Sequence, residues 1–296
     1  MSKPSEPTKR VIALLELLAQ HPDDGFSLAH LSRELEISKS TLHAITNTLV
    51  EAGFMLRGTS DLRLSLGPAL IPLGHAALGK QAPYIEAARP AMRALAQELG
   101  SHCVVTVAVE ERMYIAASEG NPKRIVTTFH DGQMRQPIIP PFGSVFIAWR
   151  DPGEIDAWLD RATHLLDPLE RAYYQSTLDR FRKTGFAAAA RLNASARIET
   201  ALEEAGSAAD AAEDPRRVIN ELLEDMRADN YLMPDVGDTV RDVDWIAAPV
   251  FDDRDQVIMA LTLTNFQAPM TAQEIQSTGD RLKAVARDAT DQVRGT

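Results

Sequence analysis

Between Ser27 and Gly67 the hydrophobic pattern changes from a helical to an alternating period, and this stretch sets what the rest of the chain is built around. Within LAHLSRELEISKSTLHAITN (28–47), apolar residues fall at Leu31, Leu35, Ile37, Leu42 and Ile45. Two short helices meeting at a tight turn bury side chains at those positions, the helix-turn-helix pattern. Ser32 sits where the helices approach closest and has to be small; Ile37 plugs the turn. Ser38 is expected to cap a second helix running to about Ala52, with Leu42, Ile45 and Leu49 facing inward. Ser40, Thr41, His43, Ala44, Asn47 and Thr48 then face outward, mostly short polar groups suited to phosphates and base edges. After Gly53 the period becomes two: Phe54 and Leu56, a polar turn over 58–61, then Leu62, Leu64 and Leu66. That is a hairpin, read as a wing, with Arg57 and Arg63 near its tip. An ordinary helical bundle with a hairpin is the plainer alternative.

Four segments carry a resemblance to a known family: RVIALLELL (10–18), SKSTLHAITNTL (38–49), LGPALIPLG (66–74) and IAAPVFD (246–252). In that order they resemble the successive signatures of the IclR family of bacterial transcription regulators. The resemblance implies an α+β chain with an N-terminal winged helix-turn-helix domain, a linker helix, and a C-terminal effector-binding domain on a curved antiparallel sheet flanked by helices. Two positions depart from the family wording, Ala44 where a basic residue often follows the histidine and Ser65 where an arginine is common. DNA contacts less basic than usual are the consequence.

Charge argues at first sight against a nucleic-acid partner, because the 296 residues carry a net −11 and phosphate neutralisation supplies most non-specific affinity. The acid is unevenly placed. Residues 1–70 hold seven Lys and Arg against eight Asp and Glu, so nearly all the excess lies further on. Lys9, Arg10, Lys39, Arg57 and Arg63 are left to meet phosphates, and modest non-specific binding follows. The candidate DNA-binding set is Lys39, Ser40, Thr41, His43, Asn47, Arg57 and Arg63.

A single cysteine, Cys103, excludes an internal disulfide and cysteine-rich metal sites. Its neighbour His102 would point to the opposite face of a strand, so the two cannot act as nucleophile and base. The N-terminus is polar, without the apolar core of a signal peptide, and no apolar run reaches membrane-spanning length. A cytoplasmic protein without metal or cofactor is expected.

Taken in order, a disordered tail to about Pro7 is expected, then a helix from Arg10 to Gln20, the helix-turn-helix and wing, and a linker helix from Pro68 to Gly79. The break at 79–83 places the boundary between a DNA-binding domain (1–79) and an effector-binding and oligomerisation domain (80–296). A helix from Tyr84 to Leu99 ends at Gly100. Strands follow at 102–109, 113–118 and 124–129, with a turn at Asn121-Pro122. QPIIPPFGSVFIAW (136–149) reads as an irregular loop delivering Ser144 to the start of a short helix, where it is either a plain N-cap or part of an anion site. Helices are expected at 154–161, 169–181 and 218–226, strands at 246–251 and 257–264, and a closing helix at 272–292. Residues 187–215 hold twelve alanines in twenty-nine positions and look like an insertion that buries little. The acidic turn 252–255 fits no calcium loop and reads as a solvated hairpin tip.

By position relative to the family motifs, Phe142, Gly143, Ser144, Val243, Trp245, Thr262 and Thr264 are similar to the places that line the effector pocket. Amides and hydroxyls there suit a carboxylate, and Phe142 and Trp245 form a large apolar wall, so an aromatic or medium-length aliphatic carboxylic acid is the expected effector. Double-stranded DNA bearing an inverted repeat, bound by a homodimer or homotetramer, is the expected partner. Two other classes stay open: a regulator whose pocket is closed, given bulky Trp245, and an enzyme carrying a DNA-binding domain as an address. For the enzyme the sequence offers no phosphate-binding glycine loop, metal-ligand spacing or nucleophile elbow.

Overall fold

The computed structural model describes residues 5–21, 24–120, 134–162, 165–191, 232–233 and 240–295. The chain divides into two compact units, Met1–Gly79 and Lys80–Thr296. The first begins with α1 (Glu6–Gln20), α2 (Leu28–Glu34) and α3 (Lys39–Glu51), followed by the hairpin β1 (Met55–Arg57) and β2 (Leu64–Leu66) and by α4 (Leu70–Leu78). Helix α1 starts at Glu6, so the tail expected to Pro7 is already helical there. Pro7 stands in the first turn, where a missing N–H is harmless, and the Lys9 ammonium bonds the Glu6 carboxylate. Leu14, Leu18, Leu31, Ile37, Leu42, Met55 and Leu64 form one buried cluster, each Leu contributing about 2 kcal/mol of burial. Gly67 closes the hairpin against the end of α3: its amide donates to the Phe54 carbonyl at 2.7 Å, and a side chain there would run into the Gly53 carbonyl. Helix α4 has no buried residue although it is almost wholly apolar.

The second unit opens with a 3-10 turn (Gly79–Gln81) and α5 (Ala82–Leu99), which ends at Gly100 in the left-handed region. Its sheet comprises β3 (His102–Val109), β4 (Arg112–Gly120), β5 (Met134–Pro137), β6 (Ala187–Ala190), β7 (Val243–Phe251) and β8 (Val257–Thr264). The strand order is β5-β4-β3-β8-β7-β6, and every pairing is antiparallel. Helices α6 (Ser144–Ile147), α7 (Pro152–Leu159), α8 (Pro168–Thr184) and α9 (Ala272–Arg294) complete it. Alternation gives the sheet two faces. Helices α6, α7 and α8 share a buried cluster with Ala187, Ala189, Ala247 and Ala260. Helix α5 lies on the other face, where Arg89 and Arg93 reach Glu119, the cross-strand partner of Cys103; α9 packs along α5.

Two expectations are corrected. Ala187–Ala190 is no loosely packed insertion but an edge strand, buried over its first three residues and paired with β7. Small side chains let α8 and the sheet close over it, and tertiary packing overrides the poor strand propensity of alanine. Residues 134–137, read as loop from Gln136 on, form β5, where Pro137 is tolerated because β5 is the outermost strand. The strand expected at 124–129, its turn at 121–122, the rest of the alanine-rich segment and the helix expected at 218–226 lie outside the described residues. Among the described residues no helix is long and apolar enough to cross a membrane.

Candidate functional site

The α2–α3 corner is held by side chains that also fix its geometry. Ser32 Oγ donates to the Ile37 carbonyl at 2.7 Å, which needs a small residue at the helix crossing, and Glu36 takes the left-handed conformation the turn requires. Ser38 Oγ caps α3 by accepting from the Thr41 amide and is hydrogen-bonded to Thr41 Oγ1 and Ser40 Oγ, so these three hydroxyls form one cluster at the helix start. Lys39, Ser40, His43, Ala44 and Thr48 are exposed along α3, and Asn47 is half-buried. Thr46, not singled out in the sequence, is fully buried, with its hydroxyl turned back onto the His43 carbonyl.

Three of the expected DNA contacts are wired together. Arg57 Nη2 donates to Asn47 Oδ1 at 2.7 Å, and Asn47 Nδ2 lies 3.2 Å from His43 Nδ1. A continuous polar chain therefore runs from the middle of α3 to the loop end of β1 in the wing. Arg63 is held differently: its Nη1 donates to the Gly25 carbonyl at 2.6 Å, and its Nε lies 3.7 Å from the Asp61 carboxylate. Its side chain is still more than half exposed.

In the second unit, cross-strand register puts Trp245 opposite Thr264 and Ala247 opposite Thr262, so Val243, Trp245, Thr262 and Thr264 share one face. Helix α6 packs on β7 and β8 from that side. Gly143, at φ 78, is the N-cap of α6, and a Cβ there would meet Ile138 Cγ2 at 2.7 Å. Ser144 is thus the first helical residue rather than the cap, which corrects the capping alternative. Its side chain is 1% exposed, and among the described residues no hydrogen-bond partner reaches its hydroxyl. Phe142 is buried, and its carbonyl accepts from Trp158 Nε1 at 3.1 Å, which fixes the loop on α7. Thr264 Oγ1 already donates to the Asp244 carbonyl at 3.0 Å. The expected set therefore includes one hydroxyl that is spent and one that is buried and unsatisfied. His102, weighed in the sequence only as a base for Cys103, lies directly opposite Thr264 and so joins this face. Burial depresses its pKa, opposed by the Glu119 charge. Only cross-strand register could have revealed it.

Cys103 is fully buried, and burial pushes its thiol far above the ordinary range, so it is no nucleophile. In the acidic turn the Asp252 carboxylate accepts the amides of Arg254 and Gln256, the work of a turn-former. Among the described residues no three His, Cys, Asp or Glu side chains gather as a metal site requires.

Comparison with known proteins bears on both units. The IclR helix-turn-helix domain is matched by residues 7–57, and the domain described as "Bacterial transcriptional regulator IclR C-terminal" by residues 189–291, together just over half the chain. The chain belongs to the IclR family. The DNA-binding transcriptional repressor YiaJ of Escherichia coli (strain K12) is 24% identical over 163 residues, 55% of this chain and 57% of YiaJ, so the match spans little more than half of that relative. The crystal structure of HmgR from Pseudomonas aeruginosa superposes with a TM-score of 0.60 at 22% identity, covering 97% of this chain and 96% of HmgR. An IclR homologue from Microbacterium hydrocarbonoxydans, complexed with 4-hydroxybenzoate, superposes with a TM-score of 0.62 at 16% identity, covering 98% and 100%. At these identities the structures establish the IclR fold. They leave the residues of each site to be argued from this chain.

Proposed function

We propose that this IclR-family chain is a ligand-responsive, DNA-binding transcription regulator that acts as a dimer on an inverted repeat and senses a small aromatic or aliphatic carboxylic acid. The observation that carries the DNA reading is the exposed polar face of α3, with Lys39 and Ser40 at its start and the His43–Asn47–Arg57 chain linking it to the wing. A helix presenting short polar groups beside a basic hairpin has the form of a major-groove reader with a phosphate-contacting wing. Repression is the sign we propose, by likeness to the E. coli repressor. The test is to incubate the full chain with a random-sequence duplex library and sequence what it retains. An enriched inverted repeat is expected; retention without any enriched sequence overturns the reading.

Two observations favour a dimer. The low local positive charge leaves one winged domain short of the affinity of specific regulators. The almost wholly apolar α4 also has no fully buried residue among the described residues, with Ile71 62% and Leu73 52% exposed.

For the effector, Ser144 supplies a hydroxyl without a partner among the described residues, Thr262 a second, partly exposed hydroxyl, and the N–H groups at the start of α6 donors for a carboxylate. Phe142 and Trp245 give the apolar wall, and Thr264 is left a structural part. The homologue holding 4-hydroxybenzoate supports an aromatic acid. Titrating benzoates and medium-chain carboxylates against tryptophan fluorescence tests this. A panel in which no acid perturbs the protein favours the closed-pocket regulator instead.

A further inference from the structure

The loop of the wing is closed by an unusual residue. Between β1 and β2 the Gly58 amide donates to the Arg63 carbonyl at 2.8 Å and the Leu62 amide to the Gly58 carbonyl at 3.2 Å, while the Asp61 carboxylate accepts from the Arg63 amide at 3.1 Å. Leu62 completes the turn at φ 56, in the left-handed region. Hairpin loops ordinarily place glycine or asparagine there. Leucine is unfavourable twice over, since its Cβ is crowded by the backbone and its side chain stands 65% exposed. It takes no part in the buried cluster of its unit, so among the described residues no core packing offsets either cost. The neighbouring arginines are drawn back, Arg57 onto Asn47 and Arg63 onto the Gly25 carbonyl. A strained residue with no structural return points to function.

We infer that Leu62 is an apolar wedge with which the wing engages the floor of the DNA minor groove. This rests on the DNA-binding reading above. The minor groove carries a degenerate hydrogen-bond code but varies in width and stiffness, and apolar side chains inserted there part the base steps that unstack most readily. The wing would then select a flexible pyrimidine–purine step beside the half-site read by α3, adding specificity without a base-edge hydrogen bond.

The test uses the full chain and a duplex that the wild type retains from a random library. Leu62→Asn keeps the turn, relaxes the backbone and removes the apolar tip; Leu62→Met keeps the tip apolar. Leu62→Asn is expected to be at least as stable to urea as the wild type and to bind the retained duplex about tenfold more weakly, with Leu62→Met within about threefold. A 2-aminopurine placed at the flanking step should brighten on binding of the wild type and not of Leu62→Asn. Equal affinity of Leu62→Asn and wild type, or a loss of fold in Leu62→Asn, overturns the wedge and leaves DNA binding standing. A wild type that enriches no sequence overturns DNA binding and the wedge with it.

Discussion

Arg57, on the wing, donates from Nη2 to Oδ1 of Asn47 on α3 at 2.7 Å, so the two side chains form one unit. The sequence assigns them separate tasks, Asn47 to base edges and Arg57 to a phosphate. The geometry makes Asn47 at least partly a holder of Arg57, since one of its two amide functions is already engaged and the other lies against His43. Their losses should therefore not add. On a selected duplex, Asn47→Ala and Arg57→Ala should each weaken binding, and the double variant should lose about 1 kcal/mol less than the two singles combined. Arg57→Ala should also lower the salt slope by about one. Anisotropy titrations at several salt concentrations read both, and strictly additive losses would show that the pair is uncoupled on DNA.

The helix-turn-helix corner should be sensitive to one hydroxyl. Ser32→Ala removes the bond to the Ile37 carbonyl and is expected to cost about 1 kcal/mol of stability in urea. Ser32→Leu should do far more damage, because the helices cross there. An unchanged midpoint for Ser32→Leu would mean that the crossing is looser than the structure describes.

Glu119 is 9% exposed and accepts from Arg93 Nε and Arg89 Nη1, both at 2.9 Å. Burial acts to raise its pKa, but the bonds and charges of Arg93 and Arg89 outweigh that and hold it below the ordinary range. A depressed folded pKa stabilises the fold above the unfolded value of about 4.3, and the gain is lost as pH falls through the lower folded value. Glu119→Gln should thus cost about 2 kcal/mol at pH 7 and almost nothing at the acid end. Urea melts across pH 2.5–7 measure this; a pH-independent difference would mean that packing, not charge, is at stake.

If the carboxylic acid reading holds, binding is expected in the micromolar range, roughly −8 kcal/mol, since no Arg or Lys belongs to the candidate set. Ser144→Ala should weaken it about tenfold while leaving stability nearly unchanged, because that hydroxyl has no partner to lose among the described residues. Trp245→Phe should remove much of the fluorescence response. Unaltered affinity in both variants places the effector elsewhere.

Sedimentation of the full chain at micromolar concentration should show a dimer or larger species. Substituting Glu for the exposed Ile71 and Leu73 of α4 should shift it toward monomer. A wild-type monomer, with and without DNA, would refute the assembly outright.

Much of the N-terminal unit was legible in the residues, because helix and strand periods there are local: Leu42 and Ile37 are buried, Ser38 caps α3, and the hairpin follows Gly53. What was not legible depended on partners far off in sequence. Four alanines read as filler became β6 because β7 offered a strand to pair with and the buried cluster that includes Leu178 and Phe181 of α8 took in the small Ala187 and Ala189 side chains. His102 joined the candidate effector face only once it was known to lie opposite Thr264, and Thr264 lost its hydroxyl to a neighbouring carbonyl that no spacing rule could find. The wing told a similar story: Arg57 and Arg63 were visible as basic residues, but not that each bonds back onto the domain while Leu62 stands exposed beside them.

The central seam of the sheet bears on how the domain assembles. Among the described residues the three strands β3 to β5 are adjacent to one another, as are β6 to β8, and the two strand groups are joined where positions 102–106 pair with 260–264. Closing so long a loop costs roughly 3 kcal/mol more in chain entropy than closing a hairpin, with little returned until several rungs have formed. During synthesis the inner edge of β3 lacks the partner it has in the folded protein until β8 emerges from the ribosome. A chain stalled before Val257 would expose that edge to any extended segment nearby, and aggregation at this point would be a hazard of its biogenesis rather than of its folded state.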